Sequence, residues 1–131
     1  MQIECPCGSG LGYEECCGKF VEGKAHAPTA EALMRSRYAA YALKRADYIV
    51  QTALHADNRD SIASWMEKAE FFRLEIVQTK RGGVLDKKGI VEFRAWFKEE
   101  DEEYILHEIS AFVKRKGRWY YDEEGSETVT L

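Results

Sequence analysis

At 131 residues, with 45% hydrophobic and 12% aromatic residues, the chain is long enough for one hydrophobic core and too short for two ordinary domains. Its formal charge of −4 argues against general binding to nucleic acid or to an anionic membrane surface. The sequence has no apolar run near the ~20 residues needed to cross a bilayer, and MQIECPCGSG is no secretory leader, so a reduced, cytoplasmic setting is expected.

All four cysteines fall at the start, in CPCGSGLGYEECCG: Cys5, Cys7, Cys16 and Cys17, spaced C-x-C-x8-C-C. Four thiolates complete a tetrahedral shell, the arrangement of a structural zinc site, and such a site can fold a short loop that has no core of its own. Cys5 and Cys7 can chelate from an extended dipeptide, whereas the adjacent Cys16 and Cys17 converge only where the backbone bends, as at the start of a helix. Two disulfides, a redox site or another metal are the alternatives; with no secretory leader, disulfides are disfavoured. A phosphate-binding role for GSGLG lacks both the preceding strand and the following Lys-Ser/Thr pair. Segment 19–28 reads as a connector, its lysines Lys19 and Lys24 placed to offset thiolate charge, with His26 an ordinary exposed histidine.

Thr29 is a good helix N-cap, and Leu33, Met34, Tyr38, Tyr41 and Ala42 then recur at helical spacing, predicting a helix from Ala30 to Lys44. A second short helix is expected over Asp47–Leu54, a loop over residues 55–60, and a third helix capped by Asp60 or Ser61. That third helix would bury Ile62, Trp65, Met66 and Ala69. The period then switches to two. Phe72, Leu74 and Ile76 oppose Arg73, Glu75 and Gln78, and Arg81-Gly82-Gly83 turns the chain. Val91, Phe93, Ala95 and Phe97 oppose Glu92, Arg94 and Trp96; acidic residues 99–103 form the next turn. Tyr104–Lys114 is a third strand, Lys116-Gly117 a tight turn, and Arg118–Asp122 a fourth strand, with a frayed tail after Gly125. Helices followed by a four-strand meander read as α+β, with helices packed on one face of an antiparallel sheet.

The cysteine run CPCGSG-LGYEE-CCG resembles the SEC-C motif, whose pattern is C-x-C-x8-C followed by Cys or His. EALMRSRYAAYALKRADYI (31–49), LHEISAFV (106–113) and GRWYYDEEG (117–125) resemble the YchJ-like family of SEC-C proteins. The resemblance implies a SEC-C zinc element over 1–22, holding one structural Zn2+ on Cys5, Cys7, Cys16 and Cys17. It also implies a nuclear transport factor 2-like (cystatin-like) cone over 29–125, with a curved sheet around helices that often leaves a pocket. Members of that family often end in a second SEC-C motif, which this sequence, ending at Leu131, does not show.

A cavity between sheet and helices would be lined by His107, Tyr38, Tyr41, Trp65 and Phe93. His107 is the candidate acid/base, with a core histidine as the plainer reading. Glu108 and Ser110, with Arg94, Trp96 and Tyr120, would lie on the opposite face as a partner surface, unless Trp96 and Phe112 cover each other. Arg35, Arg37 and Tyr38 are candidates for an anion grip at the pocket mouth, and His55 for its rim. Two function classes follow. The first is a non-catalytic binding module, in which the zinc knuckle docks a protein partner and the cone takes a ligand or second partner. The knuckle's role there would resemble the SEC-C element of the SecA translocase, which contacts a chaperone and the ribosome. The second is a small-molecule hydrolase or isomerase using His107, the zinc being structural only. The resemblance also implies a possible homodimer through the outer sheet face.

Overall fold

The computed structural model describes residues 4–55 and 59–129. A 3-10 turn (Tyr13–Glu15) and α1 (Gly18–Val21) follow the first cysteines. Next come α2 (Ala30–Ala42), α3 (Ala46–Gln51) and α4 (Arg59–Lys68), then β1 (Glu70–Arg81), β2 (Lys88–Glu99), β3 (Glu102–Arg115) and β4 (Arg118–Thr128). The strands form one antiparallel sheet in the order β1-β2-β3-β4. This is the expected α+β arrangement, with helices on one sheet face. No described helix is long and apolar enough to cross a membrane.

Thr29 caps α2 as its side chain implies, its Oγ1 accepting the Ala32 amide at 3.0 Å. The helix stops at Ala42 rather than Lys44. Leu43 is the C-cap and Lys44 turns into the left-handed region, at φ 61°. The turn carries the Lys44 ammonium to the Met66 carbonyl (2.8 Å) and the Glu70 carboxylate (2.9 Å), tying α2 to the end of α4. The short α3 ends at Gln51 because residues 52–54 leave it to bond β4: Tyr121 donates to the Thr52 carbonyl (2.7 Å) and Leu54 to the Tyr121 carbonyl (3.0 Å). The third expected helix already includes Arg59 and Asp60, so neither Asp60 nor Ser61 is its cap. Residues 56–58 of the expected loop lie outside the described residues.

Two irregularities decide how β1 faces the core. Phe71 pairs with Phe97 and Arg73 with Trp96, so Phe72 is the extra residue of a bulge and lies half exposed. Phe71, not Phe72, therefore packs inward with Leu74 and Ile76. A second shift between Ile76 and Gln78 brings Gln78 outward beside Glu92, at 2.7 Å. The β1–β2 connection holds a close backbone approach. A Cβ on Gly89 would stand 2.5 Å from the Gly82 Cα, and one on Gly82 would stand 2.7 Å from the Ala30 methyl. Only glycines let α2 seat its first residue there, with the Ala30 amide donating to the Gly82 carbonyl at 2.9 Å.

Of the acidic run 99–103, only Glu100 and Asp101 form the turn, both at positive φ as a two-residue hairpin of this handedness requires. The fourth strand corrects the expectation of a frayed tail. Its pairing breaks after Asp122–Ala111 and resumes at Glu127–Ile109 and Thr128–Glu108, the intervening residues bulging out. The bulge is held from inside, since Ser126 Oγ accepts the Ala111 amide (2.9 Å) and donates to the Asp122 carbonyl (2.8 Å).

The core runs between the helices and the inner sheet face. Leu33, Ile49, Met66, Val91 and Phe112 are its largest fully buried apolar side chains, each contributing about 1.5–3 kcal/mol relative to exposure. Cys5, Cys7 and Cys17 belong to the same apolar cluster.

Candidate metal centre and cone pocket

Cys5 begins a tight loop, its amide donating to the Leu11 carbonyl (2.9 Å) and its carbonyl accepting from Gly8 (3.2 Å). Gly8 and Gly10 take positive φ at 82° and 87°, which returns the chain toward Cys16. Cys17 then stands immediately before α1, the bend that two adjacent cysteines need in order to share an ion. All four Sγ atoms lie within 4.8 Å of one another. The Cys7–Cys16 and Cys16–Cys17 separations are 3.6 and 3.9 Å, close to the ~3.8 Å edge of a tetrahedron with metal–sulfur bonds of about 2.3 Å. These are free thiols and no pair is at disulfide distance.

The thiols' ionisation also fits a cation site. The neighbouring Cys17 thiol lowers the Cys7 thiol, while the proximity of Cys7 and burial raise Cys17. Burial raises Cys5 as well, against amide hydrogen bonds from Cys7 and Cys17. The four cysteines are arranged so that they can hold one metal ion, and four sulfurs leave no open position for a reacting water.

The knuckle is built into the cone rather than tethered to it. Cys5, Cys7 and Cys17 are 3%, 1% and 2% exposed, Cys16 somewhat more. Arg35 of α2 donates through Nη1 to the Cys7 carbonyl at 3.2 Å and through Nε to Glu31 at 2.9 Å. Tyr13 donates to Glu22 (3.1 Å), which also pairs with Arg45 (3.4 Å) beyond α2. Arg35 thus serves the knuckle and not an anion grip. Lys19 lies over the Phe20 ring. The outward side of the loop carries Ser9, Gly10 and Leu11, the last 53% exposed.

Between α2, α4 and the inner sheet face lies a cavity of about 110 Å³. Tyr38, Tyr41, Trp65 and Phe93 line it, joined by Phe71, Phe112 and Tyr121. Trp65 meets Tyr41 and Phe71 edge to face at 5.8 and 5.6 Å. At its polar end, Arg37 is only 7% exposed. It donates through Nη1 to the Ile49 carbonyl (2.9 Å) and Thr52 Oγ1 (2.7 Å), and lies 4.6 Å over the Tyr121 ring. Tyr121 donates to Glu108 Oε1 at 2.7 Å, and Ser110 donates to the same oxygen. Burial pushes the Tyr38 phenol up to about 12, with Cys7 charge adding to the shift. Burial also raises Tyr41 and, with Glu108, Tyr121.

His107 is not in this cavity. The register pairs it with Arg94, and pairs Glu108 with the inward Phe93, so the polar inner residues of β3 are Glu108 and Ser110. His107 instead packs on the outer face, 7% exposed, with Nε2 2.7 Å from Glu92 and Nδ1 buried with no partner among the described residues. The sequence alternation defined both faces of β3 correctly and assigned the wrong one inward. Isoleucines at 105 and 109 suggested a core face, whereas Leu106 and Phe112 supply it. Glu108 and Ser110 are consequently not part of an outer surface with Arg94 and Trp96. Trp96 pairs with Ile105 and stacks under Arg73 (4.5 Å), while Phe112 pairs with Gly89 on the inner side. His55 is exposed and contributes its amide to Glu123 (2.8 Å), and His26 lines a separate cavity of about 120 Å³ with Tyr48 and Trp119. Glu108 and Tyr121 were missed as pocket residues. A glutamate and a serine alternating with leucine and phenylalanine along one strand face was the available signal.

Comparison with known proteins agrees with this architecture. Residues 4–19 match the family described as SEC-C motif, and residues 29–124 match "YchJ, middle NTF2-like domain". A UPF0225 protein of Corynebacterium efficiens is 44% identical over 119 residues, covering 91% of this chain and 90% of the relative. One from Vibrio vulnificus is 41% identical, covering 92% of this chain and 74% of the longer relative. The solution structure of a SEC-C motif containing protein from Rhodopseudomonas palustris superposes with a TM-score of 0.82 at 42% identity, covering 98% of this chain and all of that one. A crystal structure of a SEC-C motif containing protein from Psychrobacter arcticus gives 0.78 at 31% identity, covering 97% of this chain and 84% of that one. The chain belongs to the UPF0225 family of YchJ-like proteins, in which a SEC-C motif is joined to an NTF2-like domain.

Proposed function

We propose that this protein is a non-catalytic, cytoplasmic binding module. Its knuckle holds one structural zinc and docks a protein partner of the translocation, ribosome-associated or chaperone class, and its cone pocket takes a small ligand. The observation that carries this reading is the division of labour in the chain's reactive groups. The four thiols close on one another with no open ligand position, while among the described residues no histidine, cysteine or lysine lines the pocket. Zinc is favoured over harder cations by the all-sulfur donor set. Because the inward half of the knuckle is packed on α2, the partner is met by its outer side, around Leu11.

Native mass spectrometry of the full chain, purified without a metal-affinity tag, tests the first half: one zinc per chain is expected, and a metal-free or disulfide-linked protein defeats it. Quantitative co-sedimentation with ribosomes and binding to purified translocation chaperones test the second. Leu11→Asp is expected to abolish the interaction without releasing zinc. Equal binding by wild type and Leu11→Asp would remove the knuckle as the docking element.

A further inference from the structure

The geometry points to a small, neutral, single-ring ligand for the cone pocket, one whose edge carries a hydrogen-bond donor beside an acceptor, as in an aryl amide or a lactam. This rests on the reading of the cone as a ligand-binding domain and adds the chemical class it would take.

The walls set the shape. Tyr41, Trp65, Phe71 and Phe93 make an aromatic slot suited to a flat ring. A cavity of about 110 Å³ is in the size class of the engineered apolar cavity of about 150 Å³ that takes benzene.

The polar end sets the chemistry. Both hydroxyl donors to Glu108 land on Oε1, so among the described residues Oε2 has no protein donor. Glu108 is one of the residues that line the cavity. Arg37 shows the complementary pattern. Its two side-chain bonds both use Nη1, so among the described residues Nε and Nη2 have no protein acceptor. The pocket therefore presents a carboxylate acceptor and guanidinium donors to a ligand.

Charge selects among ligands that can use them. Arg37 and Glu108 carry opposite formal charges that cancel within one cavity, each already held by neutral protein groups. A cationic or anionic ligand would leave the cavity with a net buried charge, whereas a neutral donor–acceptor edge pairs with both Glu108 and Arg37 and keeps their charges balanced.

Four near-isosteric probes separate these cases: toluene, benzamide, benzamidinium and benzoate, titrated into the full-length protein and followed by amide NMR shifts at residues 38, 65 and 106–110. Benzamide is expected to bind at least about 10-fold more tightly than either ion or toluene. Glu108→Gln, which leaves Arg37 uncompensated, is expected to shift preference toward benzoate by about 10-fold. If that variant does not fold, the wild-type series alone decides. An ion bound as tightly as benzamide overturns the neutral class while leaving a ligand-binding cone. Equal binding of toluene overturns the polar readout in the same way. No pocket shift with any of the four overturns the ligand-binding reading itself.

Discussion

The Arg37 guanidinium lies 4.6 Å from the centre of the Tyr121 ring, and it is through this contact that α2, the end of α3 and β4 are locked together. Arg37→Met keeps much of the volume but removes the 2.9 Å donor to the Ile49 carbonyl, which Thr52 Oγ1 otherwise meets only at 3.4 Å, and removes the cation from the ring face. A loss of about 2–4 kcal/mol in chemical denaturation is expected. A change within about 0.5 kcal/mol would show that Arg37 is not a structural tie.

Because three of the four cysteines are part of the domain core, the metal's effect should spread beyond the N-terminal segment. Cys7→Ser, or chelation of the wild type, is expected to lower stability by several kcal/mol. Amide signals of Leu33, Arg35 and Tyr38 should shift together with those of residues 5–17. If only the N-terminal signals moved, the knuckle would be an independent unit after all.

His107 packs on the face of the sheet away from the cavity. His107→Gln should therefore cost about 1 kcal/mol through its buried ring and its bond to Glu92. Benzamide titration of the variant should match the wild type. A weakened titration would tie the outer face to the pocket.

The phenols of Tyr41 and Tyr121 are raised by burial, and Glu108 adds to both. In the unfolded chain they ionise near about 10. Above that pH the unfolded chain releases protons that the folded chain retains, so the stability they contribute is complete below about 10 and is lost as pH rises further. Denaturation midpoints should be flat from about pH 8 to 9.5 and fall beyond 10. In Tyr121→Phe the alkaline fall should be shallower.

The glycine pair at the start of α2 gives a steric test. Gly89→Ala places a methyl 2.5 Å from the Gly82 Cα, backbone against backbone, which only a shift of the turn can relieve. A cost of about 2 kcal/mol or more is expected from thermal or chemical denaturation. Gly8→Ala meets no neighbouring atom within 4 Å and should cost only the strain of its positive φ, about 1 kcal/mol.

Much of this was legible in one dimension because it depends on local chemistry. Four thiols in C-x-C-x8-C-C announce a cysteine cluster that can hold a metal ion, Thr29 announces the start of α2, and the alternation Val91-Phe93-Ala95-Phe97 gives β2 its inner face. What depended on a partner strand was harder to read. Phe71 replaced Phe72 in the core because a bulge against Phe97 shifted the phase, and β4 continued past Asp122 because a second bulge let it re-pair with Ile109.

The sequence by itself determined the sulfur site, the order of helices and strands, and which residues of β3 share a face. Tertiary structure decided which face turned inward, and that choice replaced His107 with Glu108 in the pocket. It also decided that Arg35 serves the knuckle while Arg37, two residues on along the same helix, serves the cavity. The physical reason is common to both. A side chain's face is a matter of local periodicity, but what that face meets is settled by the register and packing of elements far away in the chain.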